Sequence, residues 1–262
     1  MNQVPLRIAF IQLDIAWESP EENYRRVEAA LSGLNQSVDV IVVPETFTTG
    51  FSDHMDVLSE SPHGSTYQFA YRMAKQYEAL FVGTWPVFDN LQNGIYNRMH
   101  LVSPDGECRI YDKAHTFRMS SEVSQLSRGR LREVFEWKGW RILPAVCYDL
   151  RFPKWLRNRF DGESLEYDLM LLCANWPVSR KDAWNTLLKA RAIENLCYVL
   201  GVNRCGTDGN GIIYSGDSVA LDYCGFPLAH CPEYKSSLQC VTFNAEKLVE
   251  FRHRWPFYLD AD

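Results

Sequence analysis

No uninterrupted apolar run in this chain approaches the ~18 residues needed to cross a bilayer, so a membrane partner is not expected. There is no block of lysine and arginine either. Its 27 basic residues face 33 acidic ones, for a net charge of −6. A phosphate-backbone partner needs basic residues to release counterions, and nucleic acid is therefore excluded as an expectation. No basic region precedes the first apolar stretch, and Asp14 follows it closely, so a signal peptide is not expected. The eight cysteines form no C-x-x-C pair and no regular framework. They read as reduced thiols in a cytoplasm-like compartment. The six histidines form no H-E-x-x-H and no zinc-spaced cluster, so no metal is expected. There is also no low-complexity linker and no break in charge, which predicts one domain over residues 1–262.

What is present is an ordinary globular composition, 46% hydrophobic and 23% charged, long enough for a sizeable core. Strands are predicted at residues 6–13 and 38–43, separated by a helix that opens at Ser19-Pro-Glu-Glu22, a capping-box pattern with proline at the first helical position. A second helix is predicted over residues 65–77. Strands follow at residues 80–87, 95–102 and 108–112, and residues 113–130 read as a loop carrying function. Residues 131–137 and 140–146 predict a hairpin, followed by a helix at 153–159. Beyond it come a strand at 167–173, a helix from about Asp182, and strands at 197–202, 212–221 and 238–243. Asn244 is placed to cap a last helix. The pattern is α/β, and it leaves open whether there are two sheets or one large mixed sheet.

Three residues share one position relative to these strands. Glu45 follows the strand at 38–43, Lys113 the strand at 108–112, and Cys147 the apolar run 142–146. Ligands bind outside the carboxyl ends of strands in open α/β sheets, so a carboxylate, an ammonium and a thiol at three such ends can converge. Cys147 also precedes a turn whose backbone N–H groups can face an anion, where a nucleophile belongs. Each member has a plainer alternative: Glu45 as a helix-cap or surface carboxylate, Lys113 as a solvated charge, Cys147 as a small buried hydrophobe.

Pro44-Glu45, Tyr111-Asp-Lys113-Ala-His115 and Cys147-Tyr-Asp-Leu-Arg-Phe-Pro153 together resemble the nitrilase superfamily of carbon–nitrogen hydrolases, over nearly the whole chain. The resemblance implies a four-layer α-β-β-α sandwich, a Glu-Lys-Cys triad, no cofactor, and dimers or larger assemblies. Phe47-Thr-Thr-Gly-Phe51, the 113–119 loop and the 140–153 stretch are similar to the omega-amidase branch. By that resemblance Glu45 is the base, Cys147 attacks an amide carbon, and Lys113 with the Tyr148 N–H stabilises the oxyanion. Glu122 matches a second family glutamate that positions Lys113 or the water, its plainer alternative being a carboxylate on the loop surface. The implied substrate is a small dicarboxylic-acid monoamide such as 2-oxoglutaramate, whose far carboxylate needs a cation. Arg151, four residues after Cys147, is the first candidate, with Arg118 and Arg204 in reserve; Arg151 is equally placed to pair with Asp149. Phe117 and Trp176 either wall the substrate or simply pack.

Two other readings stay open: an amidase of the same family acting on deaminated glutathione, and a non-catalytic binding member of the fold. A Cys-His dyad through His115 is set aside, because Lys113 fits the family pattern and His115 reads as a local hydrogen-bond partner. Gly206-Thr-Asp-Gly-Asn-Gly211 lacks the ending of a phosphate loop and reads as a hairpin turn.

Overall fold

The structure, a computed structural model, describes residues 4–260. In chain order the strands are β1 (Leu6–Gln12), β2 (Val40–Val42), β3 (Leu80–Asp89), β4 (Gly94–Val102), β5 (Cys108–Asp112), β6 (Phe135–Trp137) and β7 (Trp140–Val146). They continue as β8 (Leu169–Ala174), β9 (Tyr198–Asn203), β10 (Cys205–Thr207), β11 (Ile213–Ser215), β12 (Val219–Leu221), β13 (Pro227–His230) and β14 (Ser237–Phe243). The helices are α1 (Pro20–Leu31), α2 (Met55–Leu58), α3 (Ser65–Tyr77), α4 (Glu122–Gln125), α5 (Pro153–Leu156), α6 (Lys181–Asn195) and α7 (Ala245–Arg254).

Two six-stranded sheets result, ordered β14-β1-β2-β3-β4-β5 and β13-β12-β9-β8-β7-β6, with β10 and β11 in a small ribbon of their own. The middle of each sheet is parallel: β1, β2 and β3 in the first, β7, β8 and β9 in the second. Parallel neighbours need a crossover, and α1, α3 and α6 supply three of the four. The period of two along each strand then sorts the side chains. Ile8 and Phe10 of β1 meet Ile142 and Val146 of β7 between the sheets. Ala9 and Ile11 turn the other way onto Val27 of α1 and Phe69 of α3. Leu143 and Ala145 turn outward onto Trp184 and Leu188 of α6. The layers are therefore α-β-β-α, and burial on both faces explains why these strands read as unbroken apolar runs.

The amino ends of the central strands are pinned by Asp39. Its carboxylate accepts from Arg7 Nε (3.0 Å) and from Lys138 Nζ (2.5 Å) in the β6–β7 turn, so one residue ties the two sheets. The opposite, carboxyl ends stay free to carry Glu45, Cys147 and Asn175.

Several local expectations are corrected. Residues 212–221 are not one strand. Gly216 turns with φ +87° against the Gln12 side chain, splitting the segment into β11 and β12, which lie in different sheets. β13 was not anticipated. The helix expected at 153–159 is a single turn, α5, preceded by a 3-10 turn over Cys147–Arg151, and the 113–130 loop contains the one-turn α4. Ser19 precedes α1 but makes no side-chain cap, and Glu22 pairs with Arg25 and Arg26 rather than folding back. Asn244 does cap α7, accepting from Lys247 N. Among the described residues no helix is long and apolar enough to cross a membrane.

Burial alone would raise the Asp39 carboxyl, but hydrogen bonds from Arg7 and Lys138 outweigh it and hold it at about 2. A depressed carboxylate contributes stability that is present above its unfolded value near ~3.9 and lost as pH falls towards the folded one. Asp39→Asn is therefore expected to be less stable than the wild type at pH 7, with the gap narrowing below pH ~4. Urea midpoints at pH 7, 5 and 3 measure this; a gap that stays constant with pH would contradict it.

Candidate active site

Four strand ends deliver the site. β2 runs through Pro44 to Glu45, β5 ends beside Lys113, β7 delivers Cys147, and β8 delivers Asn175. Glu45, Lys113 and Glu122 are all buried, which removes the solvated-charge alternatives for the first two and the loop-surface alternative for Glu122. Lys113 Nζ donates to Glu45 Oε1 (2.9 Å) and to both oxygens of Glu122 (2.8 and 3.0 Å). Glu45 also accepts from Asn97 Nδ2 (2.8 Å) and, through Oε2, from Asn175 N (2.7 Å). Asn175 Nδ2 returns to the Glu45 carbonyl (2.9 Å) and Thr46 Oγ1 (2.7 Å). Glu122 in turn accepts from Phe117 N (2.5 Å), which fixes the loop ahead of it.

Two buried carboxyl groups share one ammonium in this cluster. Isolated charges in such a place are costly, and the pairing is what makes the burial tolerable. Burial by itself pushes the Lys113 ammonium down, but the charges of Glu122 and Glu45 more than offset that and hold it well above its ordinary value. Lys113 is therefore a permanent cation, suited to stabilising an oxyanion and unsuited to being a base. Burial raises the Glu122 carboxyl, and Lys113 offsets this only in part.

Cys147 is half-buried at the floor of a cavity of about 440 Å³. Its thiol donates to Asn175 O at 3.8 Å. Burial pushes the thiol well above its ordinary value and the Glu45 charge pushes further, against the pull of Lys113. A resting thiol of this kind needs a base to become a nucleophile. Its backbone has φ +44°, and Thr46, beside Glu45, has φ +38°. Left-handed backbone costs a non-glycine residue roughly 1–2 kcal/mol, so the neighbouring contacts must hold both turns. After Cys147 the chain enters its 3-10 turn, where the first N–H groups have no partner within the turn and Tyr148 N is one of them.

Asp149 anchors this turn. Its buried carboxylate accepts from Tyr111 Oη (2.7 Å), His115 Nδ1 (2.7 Å), His115 N (3.0 Å) and Val146 N (3.0 Å). His115 is thus a local hydrogen-bond partner, as expected. Asp149 does not pair with Arg151, whose guanidinium lies over the Trp176 ring at 5.1 Å on the cavity wall. Phe117 and Trp176 both line the cavity, and the Tyr148 ring meets Phe117 edge-on at 5.1 Å. The reserve cations are elsewhere: Arg118 is exposed outside the cavity lining, and Arg204 is buried behind Tyr214, bonding the carbonyls of Ile15 and Cys205.

Sequence reasoning missed Asn97 and Asn175, named Asp149 only as a partner for Arg151, and did not single out Arg180, which also lines the cavity. Asn175 had a signal, since it follows a buried strand as Glu45 and Cys147 do. Among the described residues no three His, Cys, Asp or Glu side chains are grouped as a metal ligand set.

Replacing Lys113 by an apolar residue leaves two buried carboxylates facing each other. Lys113→Met is expected to lose about 3–5 kcal/mol of stability, while Cys147→Ala stays within about 1 kcal/mol of wild type. Equal losses in chemical denaturation would mean that the ion cluster is not what holds the site.

A family model described as carbon-nitrogen hydrolase matches residues 7–253. The omega-amidase YafV of Yersinia enterocolitica is 42% identical over 258 residues, covering 98% of this chain and 97% of that protein. A 2-oxoglutaramate amidase of Bacillus subtilis is 32% identical over 225 residues, 85% of each. The crystal structure of XC1258 from Xanthomonas campestris, described as a CN-hydrolase superfamily protein with an arsenic adduct in the active site, aligns with a TM-score of 0.94 at 42% identity, over 99% of this chain and 98% of that one.

Proposed function

We propose, from the premise that this chain belongs to the carbon–nitrogen hydrolase family and is an amidase, that it hydrolyses the terminal amide of a small dicarboxylic-acid monoamide through a Cys147 thioester. The substrate class is that of 2-oxoglutaramate and 2-oxosuccinamate, and the products are the dicarboxylic acid and ammonia. The observation that carries this is a cavity lined by Lys113, Cys147 and Arg151, with Glu45 bonded to Lys113 and Arg151 without a carboxylate partner among the described residues.

In this reading Glu45 takes the proton of Cys147 as the sulfur attacks the amide carbon. The oxyanion is met by Lys113 Nζ and the Tyr148 N–H, each such donor being worth roughly 3–4 kcal/mol in comparable sites. The carbon–nitrogen bond breaks as Glu45 gives its proton to the departing ammonia, and the thioester remains. Glu45 then takes a proton from water, whose oxygen attacks the thioester carbon; the carbon–sulfur bond breaks, Glu45 returns that proton to the sulfur, and the acid is released with the thiol restored. Glu122 acts through Lys113 by holding its ammonium in place. Arg151 receives the distal carboxylate, and Phe117 and Trp176 wall the chain between. Eight unpaired thiols support a reducing, cytoplasmic compartment, and a dimer is carried over from the family resemblance.

Ammonia release from 2-oxoglutaramate, succinamate, glutamine, asparagine and deaminated glutathione tests the assignment. Rapid turnover of the first two is expected, with a loss of at least about 10³-fold in Cys147→Ala, Glu45→Gln and Lys113→Ala. Preference for deaminated glutathione would replace the substrate, and no thiol-dependent turnover of any of them would leave a non-catalytic member of the fold.

The raised thiol gives a second test. Glu45→Gln removes the negative charge beside Cys147 and leaves Lys113, so the thiol is expected to titrate at lower pH in the variant. Alkylation of Cys147 by iodoacetamide, followed against pH by peptide mass, should shift accordingly even though hydrolysis is lost. An unmoved profile would mean that Glu45 is not coupled to the thiol.

A further inference from the structure

Arg180 is a cation in the wrong place by every local rule. It is the N-cap of α6, where Ser, Thr, Asp and Asn are preferred and where the helix dipole disfavours positive charge. Its side chain makes no cap. The next residue, Lys181, is accounted for by Asp217 (3.2 Å) and Glu233 (2.5 Å). Among the described residues Arg180 has no carboxylate partner, and its guanidinium lies 5.0 Å over the Phe117 ring, lining the same cavity as Cys147. The backbone around it is firm, because Trp176 Nε1 donates to the Arg180 carbonyl at 2.7 Å. A side chain that breaks local preference with no partner to compensate marks a functional constraint.

Arg180 and Arg151 occupy matching positions. Each guanidinium rests on one of two aromatic walls, Arg180 on Phe117 and Arg151 on Trp176. The only carboxylate in the lining is Asp53, already engaged by Ser121 Oγ. The inner end of the cavity presents the Lys113 ammonium, with Glu45 and Glu122 bonded to it from behind, and the walls carry two guanidinium groups with no carboxylate partner among the described residues.

We infer that Arg180 is a second anchor for the substrate carboxylate, and that the two wall guanidinium groups together orient the monoamide. This rests on the proposed hydrolysis of dicarboxylic-acid monoamides. The Lys113 ammonium at the inner end is already shared by Glu45 and Glu122, whereas neither guanidinium has a carboxylate partner among the described residues, so a carboxylate is held better between the arginines. The substrate therefore enters with its amide towards Cys147 and its carboxylate between the arginines. This arrangement has a consequence for selectivity. An α-ammonium, as in glutamine, is brought beside two guanidinium groups, so the 2-oxo acid amide is selected over the amino acid amide.

The test compares succinamate, glutamine and the uncharged butyramide with wild type, Arg180→Ala and Arg180→Lys. For Arg180→Ala, KM for succinamate is expected to rise about 10–100-fold with kcat within about threefold, while kcat/KM for butyramide stays within about threefold. Arg180→Lys keeps the charge without the fork and should recover part of the loss in KM. Equal loss on succinamate and butyramide in both variants would make Arg180 structural and overturn the proposal, as would an unchanged succinamate KM. If the wild type does not turn over succinamate, the dicarboxylic-acid monoamide assignment fails instead, and the anchor proposed for it falls with it. Thermal unfolding of both variants separates a misfolded protein from one that has lost an anchor.

Discussion

The structure turns on one buried ammonium shared by two carboxylates. Lys113 is buried between Glu45 and Glu122, and their charges keep its ammonium protonated against the cost of burial. Much of the rest follows from the need to keep this cluster satisfied. Asn97 and Asn175 supply the remaining donors to Glu45. Phe117 N closes the open side of Glu122 and thereby fixes the loop that forms one cavity wall. A two-sheet sandwich suits the task, because β2 and β5 bring Glu45 and Lys113 from one sheet while β7 and β8 bring Cys147 and Asn175 from the other.

The cluster also decides how the thiol behaves. A cysteine beside an isolated lysine would be ionised more readily, but here burial and the Glu45 charge outweigh Lys113 and keep the thiol protonated at rest. Its proton can then move to Glu45 as the bond to substrate forms, and the proton can later leave with ammonia. The left-handed turn at Cys147 presents the sulfur to the cavity, and Asp149, gripping Tyr111, His115 and Val146, keeps that turn from relaxing.

Much of this was legible because strand ends are legible. Unbroken apolar runs mark strands buried on both faces, and the residues just past them are where an α/β sheet places chemistry. Glu45, Lys113 and Cys147 were found that way. Asn97 was not, since it lies within β4 and no linear pattern shows that its side chain faces the cluster. Arg180 was missed because it follows a loop and opens a helix, where a cation normally signifies nothing. The division of residues 212–221 had a visible cause, Ser215-Gly-Asp-Ser218, but the apolar residues on either side hid it. Whether the strands made one sheet or two depended on which faces they paired, which periodicity alone does not carry. Arg151 stood between two partners in the sequence, and the structure separates it from Asp149 only because four other groups already saturate that carboxylate.

If carbon–nitrogen cleavage passes through an acyl group on Cys147, with Glu45 moving the proton, that acyl group can be trapped. Rapid acid quench of the enzyme during turnover of 2-oxoglutaramate, followed by peptide mass spectrometry, looks for it. The expected result is an acyl adduct of the substrate less ammonia, confined to the peptide containing Cys147 and formed on the timescale of turnover. Steady hydrolysis with no adduct on that peptide at any quench time, or an adduct on another of the eight cysteines, would contradict it.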